Sequence, residues 1–157
     1  MSKAKKSKTF VYQLETVLKV RGIREKQEQE KFQKAEEKLK EEIKKEEELK
    51  KVQIEAYTEL NHLMSSYELP DMNVIKIRKI HLERLDTQVK EQAEKRKEAE
   101  KERDQQREAL NQAVKERKII EKDKEKTRDK WRKIMDKEDL KFMDDLAGIR
   151  FNKNMGE

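Results

Sequence analysis

Histidine is the side chain best suited to proton transfer near neutral pH, and this chain has two, His62 and His81. They lie on either side of Pro70, so antiparallel pairing of the flanking segments would bring them close enough to share a metal ion. No cysteine is present, and no carboxylate stands beside either histidine at a recognisable ligand spacing. We therefore expect no metal ion and no cofactor.

Other catalytic patterns are missing from the sequence as well. It has three glycines and no glycine-rich phosphate loop, and no serine stands in a nucleophile motif. Lysine and glutamate recur at three- and four-residue spacing, as in Glu36 with Lys40, which supports a helix by about 0.2–0.5 kcal/mol per pair. We expect a protein that is not an enzyme.

The positive charge is concentrated at the N-terminus. The net charge is +6, and four lysines without an acid precede residue 10, namely Lys3, Lys5, Lys6 and Lys8. We expect residues 1–9 to be a flexible tail. The remainder of the chain lacks a strong basic stripe that could follow phosphates, so we expect nucleic acid not to be a partner. No apolar run approaches a membrane span of about 20 residues, which favours a cytoplasmic protein, peripheral to a membrane at most.

A single proline, Pro70, divides the chain into two unequal segments with strong helix-forming composition. We predict an all-α fold, an antiparallel coiled-coil hairpin with helices over residues 10–66 and 74–147, a turn over 67–73 and a C-terminal tail over 148–157. Gly148 suits the position after a helix end. The opposite reading, disorder, is disfavoured by nearly balanced charge, with 41 basic and 35 acidic residues.

The second helix would be the longer one. Helices over 12–66 and 72–147 would rise about 82 and about 114 Å, which leaves about twenty C-terminal residues unpaired. This overhang carries many large apolar residues that need another molecule to cover them. They are Trp131, Ile134, Met135, Leu140, Phe142, Met143 and Leu146. Trp131 has two readings, a seam residue of the hairpin or an anchor for a partner protein.

Both helices carry a heptad pattern. In the second it runs from Ile75 to Ile134 without a slip, but Gln92, Arg96, Arg103 and Gln106 occupy apolar positions, which predicts a thin middle with arginine stems along the seam. In the first it runs from Phe32 to Leu63, and an eleven-residue repeat through Phe32, Ile43 and Ile54 competes with it.

Three stretches resemble the FliJ family, a small component of the flagellar type III export ATPase complex, with the YscO-like injectisome proteins as relatives. They are residues 10–21 (FVYQLETVLKVR), residues 107–122 (REALNQAVKERKIIEK) and residues 143–151 (MDDLAGIRF). One departure is Asp123, where the family usually has leucine, and it is expected to weaken the local seam.

The resemblance implies a fold similar to the central stalk of rotary ATPases and a non-catalytic role at the cytoplasmic face of the inner membrane. The end with both termini would enter a hexameric export ATPase, promote its assembly and activity, and link it to the membrane-bound export gate and substrate chaperones. The implied ATPase contacts are Phe10, Tyr12, Leu14, Val17, Leu18, Arg21, Trp131, Ile134, Met135, Met143, Leu146, Arg150 and Phe151. The implied gate and chaperone contacts are Tyr57, Leu60, Met64, Ile77 and His81, whose alternative role is hairpin packing.

Two other functions remain open on the sequence. A coiled-coil tether or chaperone unrelated to export would cover its overhang by homodimerisation, which sedimentation would detect. A nucleic-acid binder would lose affinity steeply with salt and would not need Trp131.

Overall fold

The computed structural model describes residues 9–66 and 68–156, and within them it contains two helices and no strand. Helix α1 spans Glu15–Met64 and helix α2 spans Met72–Met155. They pack against each other as an antiparallel hairpin, so the predicted all-α fold is confirmed. The basic residues before Thr9 and the turn residue Tyr67 lie outside the described residues.

The start of α2 is fixed by Asp71. Its carboxylate accepts a hydrogen bond from the backbone N–H of Asn73 at 2.9 Å, and its carbonyl accepts one from Ile75 at 3.2 Å. This is N-capping, which satisfies donors that the first helical turn leaves unpaired. Because the cap is Asp71, α2 begins at Met72 rather than at residue 74.

The helices also differ from the predicted bounds at their other ends. Helix α1 begins at Glu15 rather than at residue 10, because Phe10 to Tyr12 are non-helical and Glu15 closes a turn onto the Tyr12 carbonyl at 3.3 Å. Helix α2 continues through Gly148 to Met155 rather than stopping at Ala147. Gly148 has no positive φ. A glycine inside a helix costs only about 1 kcal/mol, and no proline follows to end the helix.

The hairpin divides into two compact units. The turn unit is Lys26–Gln112, and the end unit comprises the described residues up to Glu25 and from Ala113 onward. The turn unit has its apolar core near Pro70, where Leu60, Ile75, Leu82 and Leu85 are buried together. Ala56 and Leu63 pack against them.

Farther from the turn the seam of the turn unit becomes polar, as the sequence predicts. Gln92 is buried and donates hydrogen bonds to the carbonyl and carboxylate of Glu42, at 3.0 and 2.5 Å. Arg96 lies half-buried and binds the Glu46 carboxylate at 2.5 Å. The Arg96 guanidinium therefore pairs with a glutamate of the facing helix, whereas Arg103 pairs with Asp104 of its own helix.

The heptad pattern prevails over the eleven-residue repeat. Every heptad position of α1 from Phe32 to Leu63 is buried or half-buried. Ile54, which belongs to the eleven-residue repeat, is 66% exposed. Residues spaced by three and four lie on the side of α1 that α2 covers. This explains why the heptad positions are buried while Ile54, of the eleven-residue repeat, is exposed.

Candidate functional site

The N-terminal segment folds onto α2 through an aromatic cluster of Phe10, Tyr12 and Trp131. The Phe10 ring lies 5.8 Å from the Trp131 ring and 6.4 Å from the Tyr12 ring, measured between centroids. Tyr12 is buried, and Trp131 is half-buried. Such ring pairs add about 0.5–1.5 kcal/mol beyond their buried area. The non-helical residues Phe10 to Tyr12 are thus held in place by ring contacts.

A hydrogen bond fixes Tyr12 in this cluster. Its hydroxyl donates to the Asp123 carboxylate across 2.5 Å and lies 3.4 Å from the carbonyl oxygen of Ile120. The bond to Asp123, more than burial, raises the pKa of Tyr12 from 10.0 to about 12. Asp123 therefore has a structural partner in Tyr12.

Charged side chains surround the cluster. The Arg128 guanidinium lies 5.6 Å from the centre of the Phe10 ring, a cation–π geometry. Glu15 pairs with Lys124 at 2.7 Å, and this hydrogen bond lowers the pKa of Glu15. The segment is therefore tied to α2 by charged as well as aromatic contacts.

Two arginines on the next turns of α1 share one carboxylate of α2. Arg21 and Arg24 lie 3.2 and 3.4 Å from the same oxygen of Glu116. One negative charge balances only one of the two cations, so this part of the end unit keeps a positive surplus that an acidic partner surface could neutralise.

Beyond Met135, α2 has no cover. All described residues from 136 to 156 are exposed, and we call this segment the overhang. Phe142 and Phe151 each leave more than 60% of their surface in solvent. The other large apolar residues of the overhang are Leu140, Met143, Leu146, Ile149 and Met155. So many exposed large apolar groups on one helix are typical of a protein-binding surface.

In a comparison with protein families, the chain matches the model described as Flagellar FliJ protein over residues 10–156. The chain belongs to the FliJ family. It is therefore a protein of flagellar export, in a family whose members are non-catalytic components of that process. No curated protein and no solved structure gives a significant match.

The residues that the FliJ resemblance implies for the ATPase contact all lie in the end unit, but they differ in exposure. The Phe10 ring contacts the rings of Tyr12 and Trp131, and Ile134 joins these three in lining a groove of about 400 Å³. Leu18 and Arg21 are half-buried in the hairpin, like Met135 at the start of the overhang. The exposed members are Leu14, Val17, Ile134, Met143, Leu146, Arg150 and Phe151.

The second set of implied contacts lies in the turn unit and is divided between core and surface. Leu60 is buried in the apolar core, so it supports the hairpin. Tyr57 is exposed, but its hydroxyl binds the Asp86 carboxylate at 3.0 Å, which raises its pKa. The remaining three, Met64, Ile77 and His81, are exposed.

Sequence reasoning missed other exposed apolar residues near the turn. Leu69 is fully exposed directly before Pro70, and Ile80 is 58% exposed. Leu69 could have been found from its place in the proline turn, since the residue before a proline avoids the helical region. Ile80 could have been found because it lies outside the heptad positions.

Within residues 9–66 and 68–156, no group of three or more His, Cys, Asp or Glu residues could hold a metal ion. In the same residues no helix combines the length and the apolar character that a bilayer crossing needs.

Proposed function

We propose that this FliJ-family protein is the non-catalytic stalk of the export ATPase complex, promoting assembly of the hexamer and its ATP hydrolysis. The observation that carries the proposal is the overhang, a helix of 21 described residues, 136–156, all of them exposed. A single helix with large apolar groups around its circumference suits a narrow pore, because a pore surrounds all of its faces.

Two sides of the overhang support this argument. Phe142, Leu146 and Ile149 lie on one side, while Leu140 and Phe151 lie on another, as their spacing on a 3.6-residue helix requires. A flat partner would cover one of these sides and leave the other in water. An enclosing partner covers both.

Positive side chains of the end unit suit an acidic partner surface. Arg21 and Arg24 share Glu116, and Arg150 lies exposed on the overhang. Acidic residues lining a pore would pair with this surplus. Because one helix cannot match six identical subunits at once, each contact is weak and exchangeable, and this exchange allows the stalk to link hydrolysis with movement.

The turn unit supplies the other half of the proposal. Its exposed apolar residues, with Ile77 and Met64 among them, would bind the cytoplasmic part of the export gate and the substrate chaperones. In this proposal the protein lies at the cytoplasmic face of the inner membrane when the apparatus is assembled.

The test is ATP hydrolysis and ring formation by the export ATPase of the same organism. Wild-type protein should stimulate both, and Leu140→Ala/Phe151→Ala should lose most of the stimulation, because the pore then lacks two apolar contacts. The matched control is Ile54→Ala, which removes an equally exposed side chain (66% against 65% for Leu140) from the turn unit. No stimulation by saturating wild-type protein would overturn the proposal.

A further inference from the structure

One side of α2 in the end unit carries a row of lysines. Seven lysines follow one another at intervals of seven, four, four, three, four and four residues, a spacing that places them on the same side of a helix. They are Lys115, Lys122, Lys126, Lys130, Lys133, Lys137 and Lys141, and we call them the lysine stripe. From its first to its last member the stripe extends about 39 Å along the helix, at about 1.5 Å per residue.

The lysine stripe is open to solvent and faces away from the hairpin seam. All seven lysines are exposed, whereas the seam residues Ala113 and Trp131 of the same stretch are buried and half-buried. Within residues 9–66 and 68–156 none of the seven forms an ion pair. Lys124, which lies off the stripe, does form one, with Glu15 at 2.7 Å.

Neighbouring lysines of the stripe repel one another. Five successive pairs are three or four residues apart, for example Lys122 with Lys126. Side chains at this spacing are adjacent on a helix, and like charges there destabilise it. Elsewhere the chain sets an acid at this distance from a lysine, as Glu46 is from Lys50, with 2.8 Å between the charged groups. A partner of opposite charge would relieve the repulsion along the stripe.

Acidic residues border the stripe on both sides. Glu116 and Asp123 lie along one edge, and Asp129 and Asp136 lie along the other, as a 3.6-residue repeat requires. These acids offset the lysines in the charge total, so the net charge alone does not reveal the stripe. A wide polyanion, such as duplex nucleic acid or an anionic membrane surface, would meet the bordering carboxylates as well as the lysines. A narrow acidic partner would meet mainly the lysines.

We propose that the lysine stripe binds an acidic α-helix of another protein. A helix with glutamate or aspartate at the same three- and four-residue spacing presents its carboxylates at the intervals of the lysines, and it is narrow enough to lie between the bordering acids. Ile119 is 65% exposed in the interval between Lys115 and Lys122, so an apolar residue of the partner helix lies opposite it. Five of the seven lysines precede the overhang. The inference therefore goes beyond the ATPase proposal and does not rest on it.

The test is binding of a designed helix to the full chain, followed by fluorescence anisotropy. The probe is a labelled, hydrocarbon-stapled helical peptide that is long enough to span the stripe, with glutamates at the spacing of the lysines and leucine opposite Ile119. Wild type should bind it saturably at low salt and lose affinity as added salt screens the charges. A stapled peptide of the same composition in scrambled order should bind about tenfold more weakly.

Variants of the chain show whether the stripe is the binding surface. Lys126→Glu/Lys133→Glu should lower the affinity for the probe by about tenfold or more. Lys126→Gln/Lys133→Gln should cause a smaller loss, because it removes attraction without adding repulsion. The matched control is Lys44→Glu/Lys51→Glu, which makes the same charge change at the same seven-residue spacing on exposed lysines of the turn unit. The control should bind like wild type, and circular dichroism should show the same helix content in all variants.

The inference is overturned if wild type does not bind the probe saturably, if the scrambled peptide binds equally well, or if stripe and control variants lose equal affinity. Duplex DNA and phosphatidylglycerol vesicles are the polyanion probes, and Lys126→Glu/Lys133→Glu should weaken their binding less than that of the helix. Equal losses for all three probes would show a general polyanion surface and would also overturn the inference. Since the assay contains no ATPase, its failure and the failure of ATPase stimulation are separate results.

Discussion

The Tyr12 hydroxyl donates a hydrogen bond to the Asp123 carboxylate across 2.5 Å. This bond connects the non-helical segment of residues 9–14 to α2. The two residues are 111 positions apart in the sequence. Phe10 rests on Trp131 beside this bond, so the bond and the ring contact hold the same segment. The segment and the overhang both belong to the end unit.

Tyr12→Phe should loosen the N-terminal segment while leaving the helices formed. The variant removes the hydroxyl and leaves the ring, so Phe10 should spend more time away from Trp131. Trp131 is the only tryptophan, and its fluorescence emission should shift to longer wavelength as water reaches it. Circular dichroism should show unchanged helix content.

Tyr57→Phe is the matched control for this variant. It removes another tyrosine hydroxyl that binds an aspartate, Asp86, but in the turn unit. Emission from Trp131 should stay at the wild-type wavelength in this control. Equal shifts in both variants would contradict a local role for Tyr12.

Alkaline pH should release the same segment. The pKa of Tyr12 is raised from 10.0 to about 12 in the folded protein. Below pH 10 the phenol is protonated in both the docked and the released state, and its stabilisation is fully present. As the pH rises from about 10 to about 12, the released tyrosine loses its proton first, and the stabilisation is lost.

Trp131 fluorescence followed from pH 8 to 12 measures this transition. Lys124 pairs with Glu15 beside the cluster. Tyr12→Phe keeps that lysine pair, so the difference between wild type and variant isolates the phenol. Identical curves for the two proteins would show that Tyr12 does not control the release.

The polar seam should respond to paired replacement. Glu46 is buried and binds Arg96. Its pKa is lowered, mainly by a hydrogen bond from Lys50 and to a smaller extent by one from Arg96. Glu46→Leu alone leaves the half-buried Arg96 without its cross-helix partner and should destabilise the hairpin by about 1–2 kcal/mol, a value below that for fully buried pairs. Glu46→Leu/Arg96→Leu should recover wild-type stability or exceed it, because two apolar residues then fill heptad positions.

Thermal unfolding followed by circular dichroism gives these stabilities. The lowered pKa of Glu46 adds a pH dependence with a defined sign: its stabilisation is present above its unfolded value of 4.5 and is lost as the pH falls below it. The double variant should lack this part of the acid sensitivity. A double variant less stable than Glu46→Leu would contradict this account of the seam.

The hairpin and its seam are well predicted from the sequence, because a three-four spacing repeated over many turns places the seam residues on one side of α1, which α2 covers. Gln92 illustrates this: it is polar, yet its heptad position buries it. The ends of the helices were harder to predict. Helix propensity favours a helix from residue 10, but the contacts of Tyr12 with α2 hold the segment before Glu15 in a non-helical form.

The residue that Trp131 packs against is also set by tertiary contacts. Its heptad position favours a seam residue and its place near the overhang favours a partner, and the spacing alone does not choose. In the structure its neighbour is Phe10, from a segment outside any helix. The prediction that a helix ends at Gly148 was wrong, because α2 continues past this glycine to Met155.

The most direct measurement is cross-linking of the overhang to the export ATPase. The chain has no cysteine, so Phe151→Cys and Ile54→Cys place one cross-linker each on the overhang and on the turn unit, at side chains of similar exposure. With ATPase and nucleotide present, we predict ATPase adducts from Phe151→Cys and few or none from Ile54→Cys. Adducts from Ile54→Cys alone, or equal adducts from both, would contradict the claim that the overhang is the surface that enters the ATPase.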